Sequence, residues 1–294
     1  MTLEEVRKNI DRVDGKIREL FIERMGLADQ VARIKAETED TIYKPEREAV
    51  ILKKQSENMD PHLVKEYRAL IKRIMEISRK YQYGRTLELR NCFPFRFAKE
   101  DMRPDAVAML SEEVYICEEY RREQIHTAES YNEIAQMIAS GEVQAGIGIM
   151  ETVGDRESDE LDDVLEEQEL YINRCKVVQD RHRKKKVVEF SKNLTVTEKH
   201  DRLKICFVCP HISGMLGSVL SMISDYDVNL TEIHSIPCGE NEERNYRFFA
   251  ELALNLQEKE AQALIYQLSC ETRRLKILGS YYCEDGSLLS LAGR

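Results

Sequence analysis

The chain opens with Leu3-Glu4-Glu5-Val6-Arg7-Lys8-Asn9-Ile10-Asp11 and keeps one pattern as far as Val31-Ala32-Arg33-Ile34-Lys35-Ala36. Leu3, Val6, Ile10, Val13, Ile17, Leu20, Phe21, Leu27, Val31 and Ile34 fall mostly three or four residues apart, the period of one helical face. No Pro interrupts the run, and its Gly residues are isolated. A helix over Leu3–Ala36 is about 50 Å long at 1.5 Å per residue. A compact domain of this size cannot bury so long a stripe alone, so the pattern predicts an intertwined homodimer or a higher homo-oligomer. Thr38-Glu39-Asp40-Thr41 breaks the periodicity, and Pro45 suits the first turn of a second, short helix. After Met59-Asp60-Pro61, a third helix carries Leu63, Tyr67, Leu70, Ile71, Ile74, Ile77 and Tyr81 on one side, with Gly84 as its expected end. Residues 1–84 thus read as a three-helix domain.

Downstream the texture changes to α/β. Between 85 and 200, Val114–Cys117 reads as a strand, Ser130–Ala139 as a helix and Ala145–Met150 as a strand. Asp159–Glu167 reads as helical, Leu170–Val178 as extended and Asn193–His200 as a polar linker. Residues 201–294 alternate cleanly. Lys204–Cys209 is strand-like, and Ser213-Gly214 opens a helix through Met215–Tyr226. Asn229–Ser235 is a strand, Gly239–Asn245 a turn, Arg247–Asn255 a strand, Lys259–Cys270 a helix and Leu275–Tyr282 a closing strand. The order βαββαβ is the ferredoxin-like unit. The expected fold class is multidomain, α followed by α/β.

Composition narrows the classes of function. Against 44 Lys and Arg stand 54 Asp and Glu, for a formal net charge of −10, which disfavours nucleic acid as a partner. The basic run Arg181-His182-Arg183-Lys184-Lys185-Lys186 is local and reads as a solvated linker. No window reaches the roughly 18 consecutive apolar residues of a membrane span, and the acidic start is no signal peptide. A cytoplasmic protein is expected. The 8 cysteines lack paired metal-ligand spacing. The one CxxC, Cys206 to Cys209, lies in a strand-like run whose period of two sends its thiols to opposite faces, so buried reduced thiols and no metal are expected.

Polar residues of the helical domain carry the chemistry. Arg24 and Lys35 are eleven apart, which leaves them about 20° from one face, and Ser78 and Gln82 share a face four apart. Arg47 and Glu48 lie on the second helix. Taken singly, each reads as a surface group. Together they form a cationic set with one carboxylate and two neutral hydrogen-bonders, suited to a small dianion. Nothing resembles a nucleophile–base pair.

Residues 3–83 resemble the all-helical chorismate mutases, in particular those fused to prephenate dehydratase. The stretches carrying the resemblance are Val6–Asp11, Ile22-Glu23-Arg24-Met25, Val31–Lys35, Tyr43-Lys44-Pro45-Glu46-Arg47-Glu48 and Ile74–Ser78. The resemblance implies rearrangement of chorismate to prephenate, a unimolecular reaction that needs no acid, base, cofactor or metal. It further implies that Arg24 and Arg7 hold the two carboxylates with help from Ser78. Lys35 and Gln82 face the ether oxygen, Glu48 takes the ring hydroxyl, Arg47 orients the acidic side of the site, and Lys44 contributes backbone contacts. Arg7 is about 25 Å along the helix from Arg24, and the family lends this arginine to the partner chain's site.

The C-terminal section resembles the ACT regulatory domain of prephenate dehydratases, through Gly214-Met215-Leu216, Asn229-Leu230-Thr231-Glu232-Ile233, Tyr246–Phe249 and Lys276–Tyr281. The resemblance implies phenylalanine as effector, near Gly214, Met215, Leu216, Asn229 and Leu230. Where the family has Glu-Ser-Arg-Pro, this chain reads His234-Ser235-Ile236-Pro237. The middle section, 85–200, resembles a dehydratase reduced by most of one lobe. Glu151-Thr152-Val153 stands for the family's Glu-Asn-Ser, and Lys185 and Lys186 stand where it has a threonine and an arginine. Dehydratase activity is therefore expected to be absent. Two alternatives stay open: a bifunctional mutase–dehydratase, and a non-catalytic amino-acid-sensing dimer.

Overall fold

The computed structural model describes residues 2–117, 119–152, 160–180, 183–212, 214–238 and 245–288. Val153, Asp159, Arg181, His182, Ser213 and the turn 239–244 lie outside them. The chain divides into a helical unit, Met1–Pro94 with Ala263–Glu271, and a sheet unit, Phe95–Gln262 with Thr272–Arg294.

In the helical unit, α1 spans Leu3–Thr38, 36 residues. A capping box starts it, with the Thr2 hydroxyl accepting from the Glu5 amide and the Glu5 carboxylate accepting from the Thr2 amide. Helix α2 covers Pro45–Ser56 with its proline in the first turn, and α3 covers Val64–Arg90. Gly84 does not end α3. Residues 85–90 are mostly good helix formers, and one interior glycine costs only about 1 kcal/mol. The helix stops instead at Asn91, which takes the left-handed conformation (φ 48°) and returns its amide to Leu87.

In the single chain the apolar stripe of α1 stays exposed, in line with its length, while α3 buries polar residues that read as surface groups. Ala28 and Ala32 are the buried residues of α1, while Ile10, Ile17, Leu20 and Leu27 are exposed. On α3 the buried residues are Met75, Ser78, Arg79, Gln82, Tyr83 and Thr86, and Leu70 is 51% exposed. The polar residues Ser78, Arg79 and Gln82 face inward, and most of the α1 stripe faces out. The α3 stripe is exposed at Leu63, Leu70 and Tyr81 but half-buried at Tyr67, Ile71, Ile74 and Ile77. Asp29 ties the pair, accepting from Arg85 Nε at 3.0 Å and from the Tyr81 hydroxyl at 3.3 Å.

The sheet unit holds β1 (Val107–Leu110), β2 (Ile125–Ala128), α4 (Tyr131–Ser140), β3 (Ala145–Thr152), α5 (Glu160–Glu167), β4 (Tyr171–Asp180) and β5 (Arg183–Ser191). It continues with β6 (Arg202–Pro210), α6 (Met215–Asp225), β7 (Asn229–Pro237), β8 (Asn245–Ala253), α7 (Lys259–Glu271), β9 (Arg273–Tyr281) and β10 (Cys283–Leu288). Helix α7 starts in this unit, and its residues from Ala263 onward belong to the helical one.

Among the described residues the strands form one 10-stranded sheet in the order β2-β1-β3-β5-β4-β9-β6-β8-β7, with β10 beside β4. The run β9-β6-β8-β7 is the ferredoxin-like order of a βαββαβ unit. Val114–Cys117 is not a strand. It falls largely in a 3-10 helix over Ser111–Ile116, and the strand lies just before it at β1. The basic run is not a linker either, because Arg183–Lys186 open β5. Their side chains alternate across the sheet, and Lys186 approaches Glu232 and Glu251 at 3.7 and 3.8 Å. Strands β2 and β10 had no forecast. The stretch Asn193–His200 buries Leu194, Thr195 and Val196, and Thr195 bridges Ala98.

Cys206 and Cys209 are buried in β6, and burial raises both thiol pKa values. The core gathers around Phe190, Ile134, Leu161, Ile172 and Tyr281. The seam between β4 and β9 is one register pair, Ile172 with Gly279. A Cβ on Gly279 would lie 2.4 Å from the Ile172 carbonyl oxygen, so only glycine lets the two strands approach. Gly279→Ala should destabilise the sheet unit by about 1–3 kcal/mol through this overpacking. Its urea midpoint should fall with an unchanged slope, and an unaltered midpoint would refute this account of the seam.

Candidate active site in the helical unit

The inward seam of α1 and α3 carries most of the expected site. Arg24, Ala28, Ala32 and Lys35 follow one another at four, four and three residues, so the two cations flank the alanines on the face toward α3. Arg24 Nη1 donates to the Ser78 hydroxyl and, at 3.4 Å, to the Ile74 carbonyl. The Ser78 hydroxyl donates to the same carbonyl at 2.8 Å. The serine is thereby fixed by its own helix and presents an oxygen to the guanidinium.

Lys35 Nζ donates to the Ile42 carbonyl at 2.8 Å, which ties the end of α1 to the loop before α2. Burial lowers its pKa, partly offset by Asp40, and Arg47 and Glu48 also act on it. Glu48 acts likewise on Arg24, whose pKa burial lowers. Arg24, Lys35, Arg47 and Glu48 therefore share one electrostatic neighbourhood. Arg47 is exposed and Glu48 half-buried. Lys44, at the start of α2, pairs its side chain with Asp40 at 2.5 Å.

Gln82 is buried beside Ser78, with Nε2 donating to the Ser78 carbonyl at 3.2 Å and Oε1 without a hydrogen-bond partner. A contact with an ether oxygen needs an N–H donor, and rotating the amide exchanges the two atoms. Arg7 is not brought to this cluster by its own chain. It is exposed, seventeen residues before Arg24 on the same helix.

A residue that periodicity alone did not single out completes the group. Arg79 is buried, and its Nη1 donates to Glu48 Oε1. Its guanidinium carbon lies 4.7 Å from the centre of the Tyr43 ring. The signal was its place one residue after Ser78, on the polar seam; a basic residue there reads as solvated until the seam is known to be buried.

The positions expected for an effector are in the sheet unit. Gly214 caps α6 in the left-handed conformation, φ 86°, and its Cβ position is open space. Asn229 and Leu230 begin β7, the edge strand of the sheet. A cavity of about 780 Å³ lies elsewhere in this unit, lined among others by Tyr120, Arg174, Glu189 and His200. It includes neither Lys185 nor the effector positions. Among the described residues, no group of three or more His, Cys, Asp or Glu side chains is placed to hold a metal, and no helix is long and apolar enough to cross a membrane.

A chain whose helices bring arginine, lysine, one carboxylate, serine and glutamine to a common seam has the make-up of a site for a small dianion. Residues 6–83 match the chorismate mutase type II family. A chorismate mutase from Methanocaldococcus jannaschii is 35% identical over 85 residues, 27% of this chain and 86% of that protein. The chain belongs to the chorismate mutase type II family.

Among solved structures, a prephenate dehydratase from Streptococcus mutans matches 61% of this chain and 98% of its own, with a TM-score of 0.50 and 17% identity. A prephenate dehydratase from Arthrobacter aurescens, solved with L-Phe, matches 63% and 93%, with a TM-score of 0.51 and 14% identity. A protein described as a novel type of quorum quenching acylase matches 64% and 99%, with a TM-score of 0.52 and 16% identity. These likenesses show the fold: a helical mutase domain followed by a mixed α/β region of prephenate dehydratase type.

The half-buried Lys35 predicts a pH dependence. A lowered pKa means that Lys35 loses its charge below the ordinary lysine range, and a bound dianion draws it back up. The alkaline limb of kcat/KM, which reports the free enzyme, should therefore fall at lower pH than the limb of kcat. Lys35→Arg should remove both limbs, since arginine stays charged. Limbs that coincide, or that persist in the arginine variant, would assign the titration to another group.

Proposed function

We propose that this chain is a dimeric chorismate mutase whose C-terminal βαββαβ section is an ACT-type regulatory domain, and whose middle section has lost dehydratase chemistry. The observation that carries the reading is the buried polar seam, where Arg24, Lys35, Ser78 and Gln82 converge with Glu48. A pericyclic rearrangement asks for the reactive conformer to be held and for charge to be stabilised at the breaking ether bond. Arg24, helped by Ser78, takes one carboxylate and Arg7 of the partner chain the other. Lys35 and Gln82 serve the ether oxygen, Glu48 the ring hydroxyl, Lys44 its backbone contact, and Arg47 orients the acidic side of the site.

The outward stripe of Ile10, Ile17, Leu20 and Leu27 supports a second copy as its cover, and a 36-residue helix can carry Arg7 into that copy's site. The edge position of β7 and the open space at Gly214 support a small amino-acid effector there, with phenylalanine, the ligand of the Arthrobacter relative, as the first to try. Domain limits of 1–84, 85–200 and 201–294 remain the reading for these three roles, although the last two sections share a sheet.

Dehydration of prephenate expels hydroxyl and carbon dioxide and needs a proton donor in an enclosed cleft. Lys185 is half-buried and lies 3.4 Å from the Tyr115 hydroxyl, and a hydroxyl donor at its own position is missing. Because the same fold carries a protein described as an acylase, fold alone assigns no dehydratase.

Supplied with chorismate, the protein should form prephenate and stop. Enzyme-dependent phenylpyruvate would make it bifunctional, and no turnover of chorismate would make it a non-catalytic sensor. Site sharing has its own test. Arg7→Ala and Lys35→Ala should each lower kcat/KM by about a hundredfold or more, the scale for losing one preorganised donor. Co-refolded heterodimers should recover part of it, because each then holds one intact site. Confirmed heterodimers that remain inactive would place Arg7 outside the site.

A further inference from the structure

Glu271 is the last residue of α7, where the helix dipole disfavours an acid. Its carboxylate is nevertheless buried: exposure is 5% for the Glu271 side chain and 9% for that of Arg79. Arg79 Nε donates to Glu271 Oε1 at 3.0 Å, and Gln267, one turn earlier, donates to the same oxygen at 3.1 Å. The other arm of the guanidinium donates to Glu48. One cation is thus shared by two carboxylates, one from α2 and one from a helix of the βαββαβ section. Burial raises the Glu271 pKa against the pull of Arg79. The Arg79 pKa is raised as well: burial works against its charge, and Glu271 and Glu48 more than offset it.

We propose that Arg79 is a positioning residue for Glu48, and that through it Glu271 sets how tightly the mutase site binds its substrate. The proposal rests on the mutase reading above. A guanidinium is a rigid planar fork, so displacing the partner of Nε turns the plane and carries Nη1 with it. Tyr43, stacked on that plane, and Glu48 bracket the Lys44–Arg47 segment, so the fork aligns both ends of it. Helix α7 has its first residues in the sheet unit and its last in the helical one. A shift of α7 is therefore delivered to Glu48 as a turn of Arg79, and a misplacement of about 1 Å in a binding group can cost up to about a hundredfold.

Glu48 grips a hydroxyl present in substrate and transition state alike, so its misplacement raises KM more than it lowers kcat. Arg79→Met should raise KM for chorismate about tenfold or more and change kcat less than about threefold. Mere loss of folded protein would do the opposite, lowering apparent kcat at constant KM. Arg79→Lys, which keeps the charge and loses the fork, should be intermediate. Glu271→Gln should raise KM about threefold alone and add nothing in the Arg79→Met background, or in the Arg79→Lys background if the methionine variant does not fold. An unchanged KM in the Arg79 variants, or a Glu271→Gln effect that persists undiminished in either background, overturns the proposal while leaving an active wild type to uphold the mutase. A wild type inert toward chorismate overturns both.

Discussion

The close approach of α1 to α3 over two alanines governs the helical unit. Ala28 and Ala32 offer no side chain beyond a methyl group, so α3 comes near enough for Ser78 to accept from Arg24. Larger residues there would fill the seam and part Arg24 from Ser78. The arrangement has a thermodynamic cost, because polar groups are desolvated where a core would otherwise form. Hydrogen bonds return part of it, and Gln82 Oε1 is left as a buried acceptor without a partner. The opposite face of α1 meanwhile leaves Ile10, Ile17, Leu20 and Leu27 exposed.

Much of this was legible in the sequence, and the errors have a common source. Three- and four-residue spacing placed α1 and α3, and Pro45 placed the start of α2. Periodicity reports which faces are apolar, and the default inference is that apolar faces are buried within the chain. In α3 that default fails: Leu70 and Tyr81 are exposed, while Ser78, Arg79 and Gln82 are buried. The length of α1 exempts its stripe from that default, and the shorter run of α3 gives no such sign. Arg79 escaped notice for the same reason, and Glu271 because it is nearly two hundred positions away along the chain. At Gly84 and at the basic run, local composition pointed to a break that neighbouring residues overrode. Lys185 and Lys186 stand in a strand because both flanking strands offer them backbone partners, and Lys184 pairs with β4.

The sheet unit poses a different balance. Its ferredoxin-like half and its β1–β5 half meet where Gly279 faces Ile172 and, just beyond, where β10 runs beside β4. Burial of Phe190, Ile172 and Tyr281 in one core joins them as well. Beneath the sheet, Lys204 and Asp162 pair at 2.7 Å with almost no exposure. Breaking one partner of such a pair costs more than the pair gains, so this contact acts chiefly to specify which elements pack together.

The helical unit is discontinuous along the chain, since it ends with Ala263–Glu271. During synthesis the three N-terminal helices leave the ribosome long before their last component exists. Until Glu271 has been made, Arg79 has only Glu48 as a carboxylate partner, and Tyr83 lacks the edge-on contact with Tyr266 that it has in the finished unit. Domains generally fold as units and from the N-terminus first. Here the first domain to emerge is finished almost last, which ties completion of the polar seam to synthesis of the section that follows it.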